Sequence, residues 1–466
     1  MDIYLFNTLN YKKEKFIPIK SGKVKFYACG PTVYTLSHIG NFRTYIFEDM
    51  LCKVLRMIGF KVMHVMNITD VGHLQSNDDH GEDKIILAAR EEGKNPWYIA
   101  KNYERHFFND FERLNLIKPN VICHATEHIQ EMQKYIIGLL EKELAYEVDG
   151  NIYFNVSKFK NYNMLFKRKF NILKKRIRIE IDPRKQDQLD FVLWFSKSKF
   201  SNPIMKWNSP WGEGVPGWHI ECTSMASKYL GDRIDIHAGG VDHIFIHHTN
   251  EIAQAEGYFG HKWVNYWLHG EFLILNKNKM SKSKRNFLSL NSLIDHGFNA
   301  LHYKYLCINS HYRSQLIFSF EALYSAKNAF ETLKNRVINF YTYPDDIFNS
   351  VKNEYYVNKF MHAMCDDLNS PLALSVVWQM IKDNSLGRTQ RLNLMKEFDL
   401  VLGLNVNSFV QQMLPKEFVI LIKKREQARK NNDWLLADAI RKKLAKKKIL
   451  IKDRKLSSDW YFAYKD

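Results

Sequence analysis

A β-α-β unit between residues 24 and 66 constrains the fold of this chain more than any other stretch. Val24–Ala28 has strand composition, apolar residues recur at helical spacing from Phe47 to Ile58, and Lys61–Met66 reads as a second strand. The turn between them enters its helix at His38-Ile39-Gly40-Asn41. In parallel α/β folds, ligands bind at the carboxyl ends of strands, beside helix N-termini that attract phosphate. The unit therefore predicts nucleotide binding, although its glycines follow neither the G-x-G-x-x-G nor the Walker pattern.

Length, charge and cysteine usage limit the class of protein. The 466 residues correspond to roughly three domains of about 150 residues each. The net charge of +18 favours a polyanionic partner such as nucleic acid, with a lysine-rich composition as the plainer alternative. We see no signal peptide and no apolar run near the ~20 residues of a membrane span, and we expect a cytoplasmic protein without membrane contact. For the six scattered cysteines we expect metal ligation or burial rather than disulfides.

The rest of the chain divides by composition. Lys84–Leu116 is helical with a break at Pro96, and Ile129–Leu144 is a predicted helix in a segment that looks like an insertion. From residue 320 onward the apolar spacing is helical, and the last helix pair, Lys416–Lys447, is strongly basic. Short terminal strands are expected near residues 449–451 and 460–462. We expect two halves of an α/β catalytic domain at 1–120 and 210–275, an insertion at 121–209, a linking segment at 276–319, a helical bundle at 320–405 and a basic C-terminal subdomain at 406–466.

A histidine and a glutamate four residues apart give a first indication of a metal site. On a helix, His247 and Glu251 would share one face about 5–6 Å apart, and imidazole with carboxylate suits zinc. Alone, such a pair is more often a simple hydrogen bond. Cys29 lies in a Gly-Pro turn after the first strand, and Cys222 lies in Gly217-Trp218-His219-Ile220-Glu221-Cys222, but each thiol could be a small buried hydrophobe. Spacing alone does not join the four residues into one site.

Two signature motifs occur in order along the chain. The first is Cys29-Gly30-Pro31-Thr32-Val33-Tyr34 followed by His38-Ile39-Gly40-Asn41, and the second is Lys279-Met280-Ser281-Lys282-Ser283. Together they resemble the signatures of cysteinyl-tRNA synthetases, a family of class I aminoacyl-tRNA synthetases. Further stretches that resemble this family are residues 190–194, 216–222, 247–254, 366–371 and 425–438. The resemblance covers nearly the whole chain.

The resemblance implies a fold, a reaction and partners. The fold is α/β, with a Rossmann-like parallel-sheet catalytic domain and a connective-peptide insertion, followed by an all-α tRNA- and anticodon-binding domain and a small C-terminal extension. The family activates L-cysteine with ATP to cysteinyl-adenylate and passes the cysteinyl group to the 3′ end of tRNA(Cys). Mg²⁺ accompanies the ATP. One Zn²⁺ per chain binds the substrate thiolate, which selects cysteine over serine because zinc binds alcohols poorly. The family also implies a monomer.

The resemblance also assigns residues by their match to the family motifs. The zinc ligands are Cys29, Cys222, His247 and Glu251. The catalytic residues are His38, Asn41, Lys279 and Lys282. ATP is bound by His38, Gly40, Asn41, Gly239, Gly240, Asp242 and Lys282. The cysteine substrate is bound by Gly30, Thr69, Trp218 and His237.

The chain departs from the usual family pattern at three positions. Asn41 replaces the second histidine of the first signature, Arg285 follows the lysine motif where glycine is common, and Ala238 also replaces a glycine. Asn can still donate a hydrogen bond to phosphate or ribose, but not as a cation. These departures bear on details of the ATP site.

Two other functions are compatible with parts of the sequence. An ATP-dependent ligase that attaches cysteine to a small amine would share the catalytic core but lack the long basic tail. A zinc-dependent nucleic-acid-binding module would need neither the lysine signature nor the Gly-Gly-Val-Asp strand end. Candidates for contact with the anticodon are Trp434, Arg425, Arg429 and Trp460. The basic stretch Lys158–Arg178 is either a surface for the tRNA acceptor end or a solvated face.

Overall fold

The computed structural model describes residues 1–71, 84–166, 182–196, 205–275, 278–279, 288–345, 347–412, 415–453 and 458–462. The chain divides into two compact units. The first, which we call the α/β unit, comprises residues 1–300, 310–319 and 365–368. The second, which we call the helical unit, comprises residues 301–309, 320–364 and 369–466. Residues 301–309 therefore belong with the helices, although we had expected the helical bundle to begin at residue 320.

The helices of the α/β unit are α1 (Ile39–Met57), α2 (Lys84–Glu92), α3 (Pro96–Arg113), α4 (Ile129–Glu141), α5 (Trp218–Leu230), α6 (His247–Phe259) and α7 (Leu290–Asp295). Those of the helical unit are α8 (Ala300–Ile308), α9 (Phe320–Thr342), α10 (Ser350–Cys365), α11 (Ser370–Lys382), α12 (Arg388–Leu402), α13 (Lys416–Lys430) and α14 (Trp434–Lys446). The strands are β1 (Tyr4–Asn7), β2 (Lys12–Lys15), β3 (Lys23–Ala28), β4 (Lys61–Ile68), β5 (Val121–His124), β6 (Ala145–Val148), β7 (Asn151–Phe154), β8 (Phe191–Phe195), β9 (Val215–Pro216), β10 (Ile234–Gly240), β11 (Val264–Gly270), β12 (Leu273–Leu275), β13 (Asn278–Lys279), β14 (Leu316–Phe318), β15 (Ile449–Asp453) and β16 (Ser458–Phe462).

The centre of the α/β unit is a five-stranded parallel sheet in the order β11-β10-β3-β4-β5. The chain adds strands outward from β3 through β4 to β5, and then returns to the other side of β3 with β10 and β11. The order of addition therefore reverses between β3 and β10, and ligands bind at such switch points. The predicted Rossmann-like parallel sheet is confirmed. The edge strand β5 begins at residue 121, so the sheet continues past the point where we expected the insertion to start.

Helix α1 begins where the first signature predicts. His38 is its N-cap, its Nδ1 accepts the Asn41 backbone N–H at 3.0 Å, and the Asn41 side chain accepts the His38 backbone N–H at 3.2 Å. This reciprocal capping box satisfies two backbone donors at the helix start. Gly59, with a φ of +98°, lies just beyond the C-cap Ile58, a position where glycine commonly ends a helix. The predicted break at Pro96 is also confirmed, because α3 starts there behind its N-cap Asn95.

Smaller sheets flank the central one. Strands β6, β7 and β8 of the expected insertion form an antiparallel sheet with β9, which lies just beyond residue 209. A three-stranded sheet, β13-β12-β14, carries Lys279. Arg43 of α1 fixes this sheet to the signature helix, because its buried guanidinium donates to the carbonyl oxygens of Glu271, Phe272, His311 and Ser314. Four carbonyls on two separate segments thus converge on one side chain near the helix start.

One apolar core joins the central sheet to the helices around it. Tyr27, Val65 and Trp267 of the sheet pack in the same cluster as Met225 of α5 and Ile252 of α6. Burial of an aliphatic or Phe side chain of this kind contributes about 1.5–3 kcal/mol each. The cluster lies under the carboxyl ends of β3 and β10, so it holds the residues that emerge there in place.

The helical unit follows the predicted pattern. Between residues 320 and 448, the described part of the chain forms helices and turns, and β15 and β16 then pair antiparallel, which confirms the terminal strands. Arg425 of α13, only 2% exposed, donates to both carboxylate oxygens of Asp453 at 2.6 and 2.8 Å. This bidentate pair ties the basic helices to the terminal hairpin. Among the described residues, no helix has both the length and the apolarity required to cross a bilayer.

Candidate active site and metal centre

The four predicted metal ligands converge at the switch point of the central sheet. Cys29 directly follows β3, Cys222 lies in the second turn of α5, and His247 and Glu251 lie in the first two turns of α6. Their ligand atoms all lie within 4.8 Å of one another, and each of the four residues is at most 6% exposed. Residues far apart in sequence are therefore brought to one buried point, which spacing alone did not predict.

A second group of four donors overlaps the first. Cys29 and Glu251 belong to both groups, and His237 and His248 replace Cys222 and His247. The His237 Nε2 atom lies 2.8 Å from Glu251 Oε2, and the His248 Nε2 atom lies 3.4 Å from Cys29 Sγ. We assign His237 and His248 to the surroundings of the ligands, since the other group contains two thiols, which suit zinc. This assignment is a hypothesis that metal analysis of variants can test.

The electrostatics of the cluster favour a bound cation. Burial raises the pKa of Cys222, but a hydrogen bond from Cys29 and the charge of His247 lower it to about 6 overall. Burial raises the pKa of Glu251 too, but His237 and His247 lower it far below its usual range. Burial would lower the pKa of His247, yet Glu251 and Cys222 raise it to about 10. Cys222 and Glu251 both favour their anionic forms here, and a bound metal ion would supply the positive charge that offsets them.

Hydrogen bonds fix the orientation of the imidazoles. His247 Nε2 lies 3.0 Å from Glu251 Oε1, and its Nδ1 lies 3.0 Å from His219 Nδ1. His248 Nδ1 lies 2.8 Å from His269 Nε2, and the other ring nitrogen of His269 lies 2.8 Å from the Thr8 hydroxyl. Such outer partners hold metal-binding imidazoles in one orientation.

The predicted cysteine-binding residues surround this cluster. The Trp218 ring centre lies 4.4 Å from that of His247. Thr69 follows β4 and donates its hydroxyl to Glu221 at 2.9 Å. The Gly30 N–H donates to the Asn67 side chain at 2.9 Å. A β-carbon at residue 30 would lie 1.6 Å from the Asn67 carbonyl oxygen, so only glycine fits where the first signature crosses the end of β4.

The predicted ATP-binding residues fall into two described groups and one group that is only partly described. His38, Gly40 and Asn41 start α1, where His38 and Asn41 engage each other in the capping box. Gly239 and Gly240 end β10, and a β-carbon at residue 240 would lie 2.4 Å from a carboxylate oxygen of Asp242. In the third group, the backbone of Lys279 lies in β13. Lys282 and Arg285 lie outside the described residues, as do residues 72–83 and most of the basic stretch 158–178.

Several buried polar residues of the site are not singled out by the sequence motifs. They are Asn67, His219, Glu221, His248 and His269. Glu221 accepts from Thr69, and its pKa is raised well above its usual range by burial and by the Cys222 charge. A signal was present in the sequence, because each of these polar residues lies near a strand end or a helix start, where ligand-binding residues concentrate.

Comparison with known proteins identifies two matching family models and many relatives. The model described as tRNA synthetases class I (C) catalytic domain matches residues 15–328, and the DALR domain matches residues 359–406. A protein of Treponema denticola named Cysteine–tRNA ligase is 46% identical, over 99% of each chain. A Burkholderia lata protein named Cysteine–tRNA ligase 1 is 40% identical, over 96% of this chain and 94% of its own.

Solved structures are similar in fold. The methionyl-tRNA synthetase of Mycobacterium tuberculosis in complex with methionyl-adenylate has a TM-score of 0.56 at 13% identity, covering 86% of this chain and 93% of its own. The ternary LeuRS–tRNA–LeuAMS complex of Agrobacterium radiobacter has a TM-score of 0.58 at 11% identity, covering 84% and 85%. At such low identity the similarity concerns the fold alone.

Proposed function

The chain belongs to the cysteinyl-tRNA synthetases, which are ATP-dependent class I ligases, and on this premise we propose that it attaches L-cysteine to tRNA(Cys) through a cysteinyl-adenylate. The observation that carries the proposal is the convergence of Cys29, Cys222, His247 and Glu251 beside the helix start at His38. A thiol-selective metal site and a phosphate-attracting helix start therefore share one strand-to-helix connection.

The four donors fit a zinc ion. Zinc takes four ligands from among cysteine sulfur, histidine nitrogen and carboxylate oxygen at about 2.0–2.3 Å, and in catalytic sites it can expand to five-coordinate. Two thiols, one imidazole and one carboxylate that lie within 4.8 Å of one another meet that requirement. When bound, zinc would supply a Lewis acid that holds a substrate thiolate in preference to a serine hydroxyl. Shape alone distinguishes groups this similar only about 10–200-fold.

The chain's own residues would promote adenylate formation by positioning the substrates and by neutralising charge. A carboxylate oxygen of cysteine attacks the α-phosphorus of ATP, the bond to the bridging oxygen breaks, and pyrophosphate leaves with the electron pair. Negative charge grows on phosphate oxygens during this step, so positioned donors and cations stabilise it. We assign phosphate contacts to His38 and Asn41 and neutralisation of the leaving pyrophosphate to Lys279 and Lys282. Mg²⁺ would enter with ATP, bound largely by phosphate oxygens and water.

The remaining assignments follow from position. Gly40, Gly239 and Gly240 would let adenosine approach the backbone, and Asp242 would accept from ribose hydroxyls. Around the amino acid, Gly30, Thr69, Trp218 and His237 would form the pocket. In support of this pocket, Trp218 and His237 both contact the donor cluster.

The helical unit supports tRNA rather than a small amine as acceptor. The DALR match at residues 359–406 and the basic helices α13 and α14 lie beyond what adenylate formation requires. The net charge of +18 favours the binding of a polyanion such as tRNA. We further propose that the active species is a monomer, which sedimentation of the purified protein would test.

Two assays test the proposed function. Pyrophosphate exchange into ATP should depend on cysteine and show no activity with serine, and charging of unfractionated tRNA with labelled cysteine should follow. Equal exchange with serine contradicts the zinc-based selectivity. Cysteine-dependent exchange without tRNA charging by the intact chain favours the small-amine ligase instead.

A further inference from the structure

A one-directional chain of hydrogen bonds runs behind the donor cluster. A backbone N–H can only donate, so the Gly30 N–H at 2.9 Å fixes the oxygen of the Asn67 amide towards it. The amide nitrogen of Asn67 must then face Thr69, and it donates to the Thr69 hydroxyl oxygen at 3.2 Å. That hydroxyl in turn gives its proton to the Glu221 carboxyl at 2.9 Å. The Gly30 N–H thus sets the direction of the first two bonds, and the Thr69 hydroxyl, which accepts from Asn67, donates to Glu221.

This direction leaves Thr69 as an acceptor. A hydroxyl group has one proton and two lone pairs. In the described part of the chain, the proton goes to Glu221 and one lone pair accepts from Asn67, which leaves one lone pair for a further donor. The backbone of Thr69 pairs with Thr32 of the first signature, so residue 69 lies beside the turn that carries Cys29. A substrate group next to the Thr69 hydroxyl therefore has to be a hydrogen-bond donor, such as N–H, and not an acceptor such as a carboxylate.

Packing alone does not explain why a glutamate occupies position 221. It is fully buried, and within the described part of the chain its second oxygen, Oε1, has no hydrogen-bond partner. Successive side chains on a helix point about 100° apart. Cys222 contacts Cys29 after β3, whereas the neighbouring Glu221 reaches Thr69 after β4. One turn of α5 thus supplies a metal-ligand candidate to one strand end and a carboxyl to the next.

We propose that Glu221 is a positioning residue that keeps Thr69 an acceptor for the α-ammonium group of the cysteine substrate. The inference rests on the proposed function. The ammonium group of an amino acid is an obligatory donor, so it matches the remaining lone pair of the Thr69 hydroxyl. The site would then recognise two groups on one substrate, the thiol through the donor cluster and the amine through Thr69.

The test compares cysteine with 3-mercaptopropionate, which keeps the thiol and carboxylate but lacks the amine. Glu221→Met should raise the KM of cysteine in pyrophosphate exchange about 10- to 100-fold, the range for a hydrogen bond to a charged group. The inhibition constant of 3-mercaptopropionate should stay within about 3-fold, and kcat should change less than KM. Glu221→Gln keeps a carbonyl acceptor for the Thr69 hydroxyl and should restore most of the preference for cysteine.

Two further variants complete the design. Thr69→Val should lose the same preference, and Thr69→Val combined with Glu221→Met should lose little more, because both remove one interaction. Glu256→Gln is the matched control, a partly buried glutamate on α6 that accepts the Trp263 backbone N–H, and it should keep the preference.

Each outcome supports or overturns the inference. Equal weakening of cysteine and 3-mercaptopropionate by Glu221→Met, or loss of bound metal, would show that Glu221 only supports Cys222 and would overturn it. Additive effects in the double variant would overturn it as well. If the wild-type chain shows no cysteine-dependent exchange, the proposed function itself fails, which is a separate result.

Discussion

The donor cluster of the α/β unit and the basic end of the helical unit contrast in how their residues are held. In the cluster, Cys222, His247 and Glu251 are almost fully buried and hydrogen-bonded to other protein groups. At the start of α14, Trp434 is 56% exposed and Leu435 is 89% exposed. The fold alone sets the geometry of the buried site, whereas exposed aromatic residues gain a fixed geometry only when a partner covers them. Substitutions in the two regions should therefore affect different steps.

The largest effect is expected from Cys222→Ser. The hydroxyl is a poor zinc ligand, so the variant should lose the metal and cysteine activation together. The loss should exceed the ~10–100-fold typical of changes around the ligands, because a ligand itself is removed. Metal content by mass spectrometry under native conditions and cysteine-dependent pyrophosphate exchange measure the two quantities.

Cys52→Ser provides the control for this substitution. Cys52 is also buried, but it lies on α1 away from the candidate ligands, so its metal content should match the wild type. Full metal occupancy in Cys222→Ser would exclude Cys222 as a ligand and favour the alternative group that contains His237 and His248.

A smaller effect is expected from His237→Asn. If His237 orients Glu251 through their 2.8 Å contact, its loss should weaken metal binding about 10–100-fold without abolishing it. Competition with a zinc chelator of known affinity measures the change. A loss as complete as that of Cys222→Ser would mean that His237 is itself a ligand.

Trp434→Ala tests the exposed region at the start of α14. Stacking of a base on an aromatic side chain contributes about 1–3 kcal/mol, so kcat/KM for tRNA charging should fall at least about 5-fold. Cysteine-dependent pyrophosphate exchange should be unchanged, because it needs no tRNA. Leu400→Ala, at a 65% exposed position on α12, is the control and should leave both activities intact. Unchanged charging by Trp434→Ala would remove Trp434 from the candidates for anticodon contact.

The sequence predicted local elements better than the contacts between them. The β-α-β unit, the break at Pro96 and the terminal strands were predictable, because they depend on periodicity and on residues with fixed backbone preferences. The donor cluster could be assembled only through the family motifs, since Cys29 and Glu251 are 222 residues apart. No motif indicated the hydrogen bond between Thr69 and Glu221, which are 152 residues apart. That contact forms only because helix α5 packs against the carboxyl end of β4, which the sequence does not show.

The smallest effect is expected from a half-buried ion pair in the α/β unit. It tests whether the size of a substitution's effect depends on burial or on the unit to which the residue belongs. His124 is the last residue of β5 in the α/β unit, and its Nε2 lies 3.0 Å from Glu104, with about a quarter of each side chain exposed. The hydrogen bond to Glu104 outweighs partial burial and raises the pKa of His124 to about 9. Because the folded pKa exceeds the unfolded value near 6.5, this contribution to stability is complete below pH 6.5 and is lost as the pH rises through 9. Solvent screening limits this contribution to about 1 kcal/mol.

Urea unfolding measures the contribution. The free energies of unfolding of the wild type and of Glu104→Gln should therefore differ by about that amount at pH 6 and converge above pH 9. A difference that persists at pH 10 would mean that Glu104 acts by packing rather than by charge.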